Sequence, residues 1–74
     1  MVILIQCKDR IGLVADIATV MANQQVNIVS MREHVDTFDN RFFVRIEVTG
    51  FHAPLPIEQQ LKNILPDDAE ITVN

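Results

Sequence analysis

The 74-residue sequence predicts an α+β fold: one four-stranded antiparallel sheet with two helices on one face, in the order βαββαβ. Three observations predict it. Arg41 to Thr49 alternates along its length, with Phe42, Val44, Ile46 and Val48 on one side and Arg41, Phe43, Arg45, Glu47 and Thr49 on the other. That period of two marks a half-buried strand. Leu13, Ile17, Val20 and Met21 recur at helical spacing, and so do Ile57, Leu61 and Ile64. Strand-like runs stand before, between and after these two stretches, and right-handed crossovers then bring both helices to the same face.

The elements follow in order. Val2 to Cys7 reads as a strand that is apolar on both faces, as a central strand is. Gly12 to about Gln25 reads as a helix, with Val14 and Ala18 widening its apolar stripe and Asp16, Thr19 and Asn23 toward the other side. Asp9 is placed to cap it. Asn27 to Val35 reads as a second strand of poor alternation, placed by the topology at a sheet edge. Asp36 to Asn40 supplies turn residues, and Arg41 to Thr49 follows as the third strand. Gly50 to Pro54 reads as a loop, Pro56 suits the first turn of a second helix, and Pro66 stops it. Ile71 and Val73 alternate with Glu70 and Thr72 in a short last strand. The order is that of a ferredoxin-like sandwich. No repeat, low-complexity tract or linker divides residues 1–74, which read as a single domain.

Composition narrows the function. The hydrophobic fraction is 49%, high for a chain so short that folding alone hides only about 60% of its unfolded surface. Burying the excess calls for self-association, a homodimer or higher. A net charge of −4 argues against nucleic acid as a general partner. Cys7, the one cysteine, excludes an internal disulfide and a CxxC motif and fits a reducing, cytoplasmic setting. No apolar run is long enough to span a membrane, and the start lacks the features of a signal peptide.

The residues with chemistry to offer cluster at the first turn, Cys7-Lys8-Asp9-Arg10-Ile11-Gly12-Leu13-Val14. Gly12 has no Cβ, so a ligand or a second backbone can come close. The helix start is an anion site. The turn thus suits a small zwitterion, its carboxylate on the amides and its ammonium on Asp9. The plain alternative is close packing at Gly12 and a cap at Asp9. Asn27 opens the second strand, which the topology is expected to return toward the same turn, and its amide can bond either end of an amino acid. Its plain alternative is a helix-exit residue.

Other chemistries fare worse. Cys7, His34 and Asp36 make a nominal nucleophile, base and orienter, but a domain this small offers little room for an oxyanion hole or a walled cleft. Cys7 reads instead as a small buried hydrophobe, and His34 as a surface or interface residue. Cys7, His34, His52 and scattered carboxylates show no metal-ligand spacing, and no cofactor is implied. Phe43 between Arg41 and Arg45 faintly resembles the third strand of an RNA-recognition motif, but the glycines and the first-strand aromatic are missing. An acylphosphatase-type hydrolase wants a phosphate-cradling first loop, where Asp9 would repel phosphate.

Asp9-Arg10-Ile11-Gly12-Leu13-Val14 after a first strand, with Asn27-Ile28 opening the second, resembles the ACT domain, a small amino-acid-sensing regulatory module. The resemblance covers nearly the whole chain and implies the fold derived above. Ile5 to Val14, His34-Val35-Asp36 and Arg41 to Glu47 further resemble the N-terminal ACT domain of formyltetrahydrofolate deformylases. In those enzymes catalysis belongs to a C-terminal formyltransferase-like domain, so no catalytic residue carries over. The resemblance implies a non-catalytic regulatory domain that dimerises and binds a small amino acid between subunits, through Asp9, Arg10, Ile11, Gly12 and Asn27. Arg10 departs from the small or polar residues usual there. Ile11, Leu13 and Ile28 are expected to crowd the site and favour glycine or serine, with methionine admitted if the dimer seam is open. Glycine and methionine also connect to folate one-carbon metabolism. The alternative is a structural dimerisation module without a ligand.

Overall fold

A computed structural model of the chain describes residues 1–50 and 54–74. Its elements are β1 (Val2–Lys8), α1 (Leu13–Asn23), β2 (Asn27–Asp36), β3 (Arg41–Thr49), α2 (Pro54–Ile64) and β4 (Glu70–Val73). The strands form one antiparallel sheet in the order β2-β3-β1-β4. This is the ferredoxin-like βαββαβ arrangement expected from the sequence. The helix α2 starts at Pro54, two residues ahead of Pro56, and the rest of the expected loop falls partly on residues 51–53, outside the described residues.

One face of the sheet makes the core. Ile3, Ile5 and Cys7 of β1 and Phe42, Val44, Ile46 and Val48 of β3 are buried on it, against Leu13, Ile17, Val20 and Met21 of α1 and Ile57 and Leu61 of α2. The other face is open. Leu4 is 42% exposed there, so β1 is a central strand with apolar residues on both faces but a cover on only one.

The poor alternation of β2 has a local cause. Its register with β3 slips between Ile28 and Ser30, leaving Val29 as the extra residue, 53% exposed. A bulge of this kind reverses the phase of the side chains beyond it. After it, Met31 and Val35 lie opposite Ile46 and Phe42 on the helix side. Arg32 and His34 lie opposite Arg45 and Phe43 on the open side.

The chain leaves α1 through Gln25 at φ 58, a left-handed exit. The other helix end is bound by a long-range clamp. Arg10 donates from Nη2 to Asp16 Oδ2 at 2.9 Å and to the carbonyl of Ile64 at 2.7 Å. A cation on the last carbonyls of α2 also suits the helix dipole.

Asp68 ties the loop before β4 to the sheet. Its carboxylate accepts the Lys8 backbone N–H at 3.1 and 3.2 Å and the Arg41 guanidinium at 2.6 Å. Asp68→Ala removes a charged acceptor shared by three segments and is expected to cost about 1–2 kcal/mol. Urea unfolding checks this, with Asp67→Ala, in the same loop, as the neutral comparison.

Candidate functional site

The β1–α1 turn is built around Gly12. Its φ is +91°, outside the range of ordinary side chains. Gly12 is itself the residue before the helix, and no side chain caps the helix start. The cap expected of Asp9 is therefore corrected: Asp9 sits too early, its backbone N–H bonds the Asn40 carbonyl at 2.8 Å, and its carboxylate stays clear of the helix amides. The amides of the first turn of α1 are left to solvent or a ligand.

These amides face a groove of about 290 Å³. Asp9, Gly12, Leu13 and Ala15 form one wall, and Glu33, His34 and Val35 from the end of β2 form another. Arg10 also lines the groove; three of its five donors bond Ile11, Asp16 and Ile64, and one Nη1 hydrogen and the Nε hydrogen remain. Of the three residues expected to crowd the turn, only Leu13 lines this groove. Ile11 is fully exposed, and Ile28 lies at the other end of the sheet.

Asn27 does not join the turn within one chain. Lys8 pairs with Arg41, whereas Asn27 pairs with Thr49. The two sites are eight residues apart along β3 (49 − 41), about 26 Å at the usual rise per residue. The helix α1 runs back along the sheet and so delivers β2 to the end opposite the turn.

Comparison with known proteins fits this geometry. A family model for the ACT domain matches residues 1–66. The chain belongs to the ACT domain family. It is similar to the formyltetrahydrofolate deformylase of Haemophilus influenzae, with 33% identity over 67 residues that cover 90% of this chain and 24% of that protein. The deformylase of Escherichia coli K12 is 32% identical over 68 residues, covering 92% and 24%. The ACT domain thus spans about a quarter of the length of the curated relatives it matches. Among solved structures, the deformylase of Burkholderia mallei superposes with a TM-score of 0.84 at 14% identity, covering 99% of this chain and 27% of that one. An ACT domain protein from Streptococcus pneumoniae superposes with a TM-score of 0.75 at 20% identity, covering 99% and 84%. Both show the shared fold.

Cys7, His34 and Asp36 are not brought together by this ACT domain. Cys7 is buried on the helix side of β1, while His34 stands on the open face of β2, as does Asp36. The His34 ring stacks on Phe43 with centroids 6.2 Å apart. Among the described residues no group of three His, Cys, Asp or Glu side chains converges, and no helix is long and apolar enough to cross a membrane. His52 lies outside the described residues.

Burial pushes the Cys7 thiol above its ordinary value, and the neighbouring Asp68 carboxylate adds to the effect, against the pull of Arg41 and Arg10. Folding therefore favours the protonated thiol. In the unfolded chain Cys7 ionises near pH 8.5. Its contribution to stability is full below that pH and is lost as pH rises through the higher folded value. Two outcomes are expected: slow reaction with a thiol-specific disulfide reagent at pH 8 until the chain unfolds, and a stability decline above about pH 8.5 that Cys7→Ala removes.

Two binding features were not legible beforehand. The end of β2 forms a wall of the groove at the first turn, and Arg10 braces that turn against the end of α2 as well as lining the groove. Both depend on residues far apart in sequence, 54 positions for Arg10 and Ile64.

Proposed function

We propose that this ACT domain is a non-catalytic regulatory module that pairs with a second copy along β2 and α1 and binds a small amino acid in the seam. The carrying observation is the groove at the uncapped start of α1, which opens toward the edge strand β2. The first-turn amides of α1 meet the ligand carboxylate, as a helix N-terminus favours. Asp9, half-buried on the wall, meets its ammonium.

Two edge strands joined antiparallel about a two-fold axis would each set their start beside the other's end. The partner's Asn27 would then reach the groove that Asn27 of the same chain cannot reach. Asp9, Gly12 and Asn27 thus make one site only as a pair of subunits, with Arg10 bracing the turn and Ile11 exposed beside it for the partner to cover. A groove of about 290 Å³ admits methionine as well as glycine or serine.

Because the matched relatives are formyltetrahydrofolate deformylases, the proposal extends to this domain as the regulatory part of such an enzyme, in the cytoplasm, responding to glycine or methionine.

Calorimetry with glycine, serine and methionine, on a dimer established by sedimentation, tests the reading. Asp9→Ala and Asn27→Ala are each expected to abolish binding. Their mixed dimer is expected to recover one site of two, because one seam then holds an intact Asp9 and an intact Asn27. No binding at about 5 mM to a confirmed dimer would leave the structural module without a ligand. Gly12→Val is not a clean probe: at φ +91° a branched residue is strained, although an added Cβ would meet only Arg10 Nη1 at 3.7 Å.

A further inference from the structure

A second groove lies on the open face of the sheet, away from the helices, with a volume of about 390 Å³. That is within the usual range of small-ligand sites. Two rows of opposed residues cross it. In one, Arg32 faces Arg45, and Leu4 follows; in the other, His34 faces Phe43, and Gln6 and Glu70 follow.

Like charges directly opposed across strands weaken a sheet, and this pair is poorly compensated. Arg45 approaches Glu47 only to 3.8 Å, with both side chains about half exposed. Arg32 makes no ion pair among the described residues. Arg41 differs, being held by Asp68 and by the Gln6 side-chain carbonyl. That last bond uses the Gln6 acceptor and leaves its amide N–H groups for the groove.

The neighbouring row supplies a different surface. The rings of His34 and Phe43 stack on each other, 6.2 Å between centroids and 28° from parallel, and both residues stay exposed, so the pair is an aromatic platform on which a further ring can stack. It lies two residues, about 7 Å, along the strands from the two guanidiniums. Beyond the platform, Gln6 offers donors and Glu70 offers acceptors.

We propose that this groove binds a small acid carried on a flat nitrogen heterocycle. The ring lies on the His34–Phe43 platform, its polar edge meets Gln6 and Glu70, and its carboxylate or phosphate sits between Arg32 and Arg45. Guanidinium forks match both acids. A second copy packed face to face over this groove would instead bring two such arginine pairs together, which their charge opposes.

Titration of the 74-residue chain, followed by NMR, tests this with three probes: orotate, adenosine 5′-monophosphate and neutral adenosine. Saturable shifts at Phe43 and Gln6 are expected with at least one acid, with adenosine about tenfold weaker or more. Saturation by orotate alone assigns a carboxylate ligand, and by the monophosphate alone a phosphate ligand. Arg32→Gln and Arg45→Gln are each expected to weaken binding about tenfold while the melting temperature holds or rises. His34 borders both grooves, but Gln6, Arg32, Phe43 and Arg45 line this one alone, so excess glycine is expected not to displace the acid. No saturation with either acid by about 10 mM, equal binding of adenosine, displacement by glycine, or arginine variants that bind like the parent chain would each overturn the proposal.

Discussion

Ile46→Ala is expected to cost about 2–5 kcal/mol of stability, the range for removing a large aliphatic side chain from a packed core. Ile46 is fully buried on β3, opposite Ile3 of β1 and Met31 of β2. Its side chain is therefore held by strands on both sides and by the helices above, and the site has little freedom to collapse. A chain of this size has about 4–11 kcal/mol in total, so the loss is a large fraction. The melting temperature is expected to fall by about 10–30 °C. Leu4→Ala is the matched control. Leu4 is a similar side chain on the neighbouring strand, but it faces the open side and is 42% exposed. Calorimetric scans that showed equal losses for the two variants would mean that the covered and open faces have been exchanged.

How much of this was legible in advance depended on the range of the forces involved. The bounds of β3 were readable because Phe42 to Val48 alternate without interruption between core and open face. The second strand read poorly because the bulge at Val29 reverses its phase, and nothing in the local composition marks a bulge. The turn was found but its mechanics were misread: Asp9 has capping chemistry, yet the positive φ of Gly12 sets the helix start three residues later. From the topology α1 is expected to return the start of β2 toward the first turn, whereas it carries that start to the far end of the sheet, a direction that helix length and rise decide rather than element order. The Asp68 junction joins Lys8 to a residue 60 positions away, and no periodicity reports such a contact. The resemblance implies a shared site for Asp9 and Asn27, and no local pattern shows that within one chain they lie at opposite ends of the sheet.

The proposed seam along β2 leads to the other large effect. In α1, Asp16, Thr19 and Asn23 face a groove shared with α2. Val14 therefore points the other way, toward the β2 edge, and it remains 39% exposed. Val29 and Val35 are exposed on β2 itself, and Ile11 is fully exposed at the turn. An edge strand with free backbone groups beside a line of apolar side chains is an interface in waiting. Val14→Asp combined with Val35→Asp puts four carboxylates into a two-fold seam, two from each copy. Each would have to be buried without a partner or beside a like charge. Dissociation is expected to become easier by at least about 3 kcal/mol, more than a hundredfold in the dimer constant. Sedimentation at micromolar concentration should then show a folded monomer where a dimer is expected for the parent chain, while Thr72→Asp on the opposite sheet edge is expected to leave that dimer intact. Amino-acid binding should be lost together with the dimer, because the half-site left on each monomer has Asp9 and the α1 amides but no Asn27 within reach. A doubly substituted chain that stayed dimeric would place the seam elsewhere, and a monomer that still bound glycine would show that the groove at Gly12 is complete in one chain.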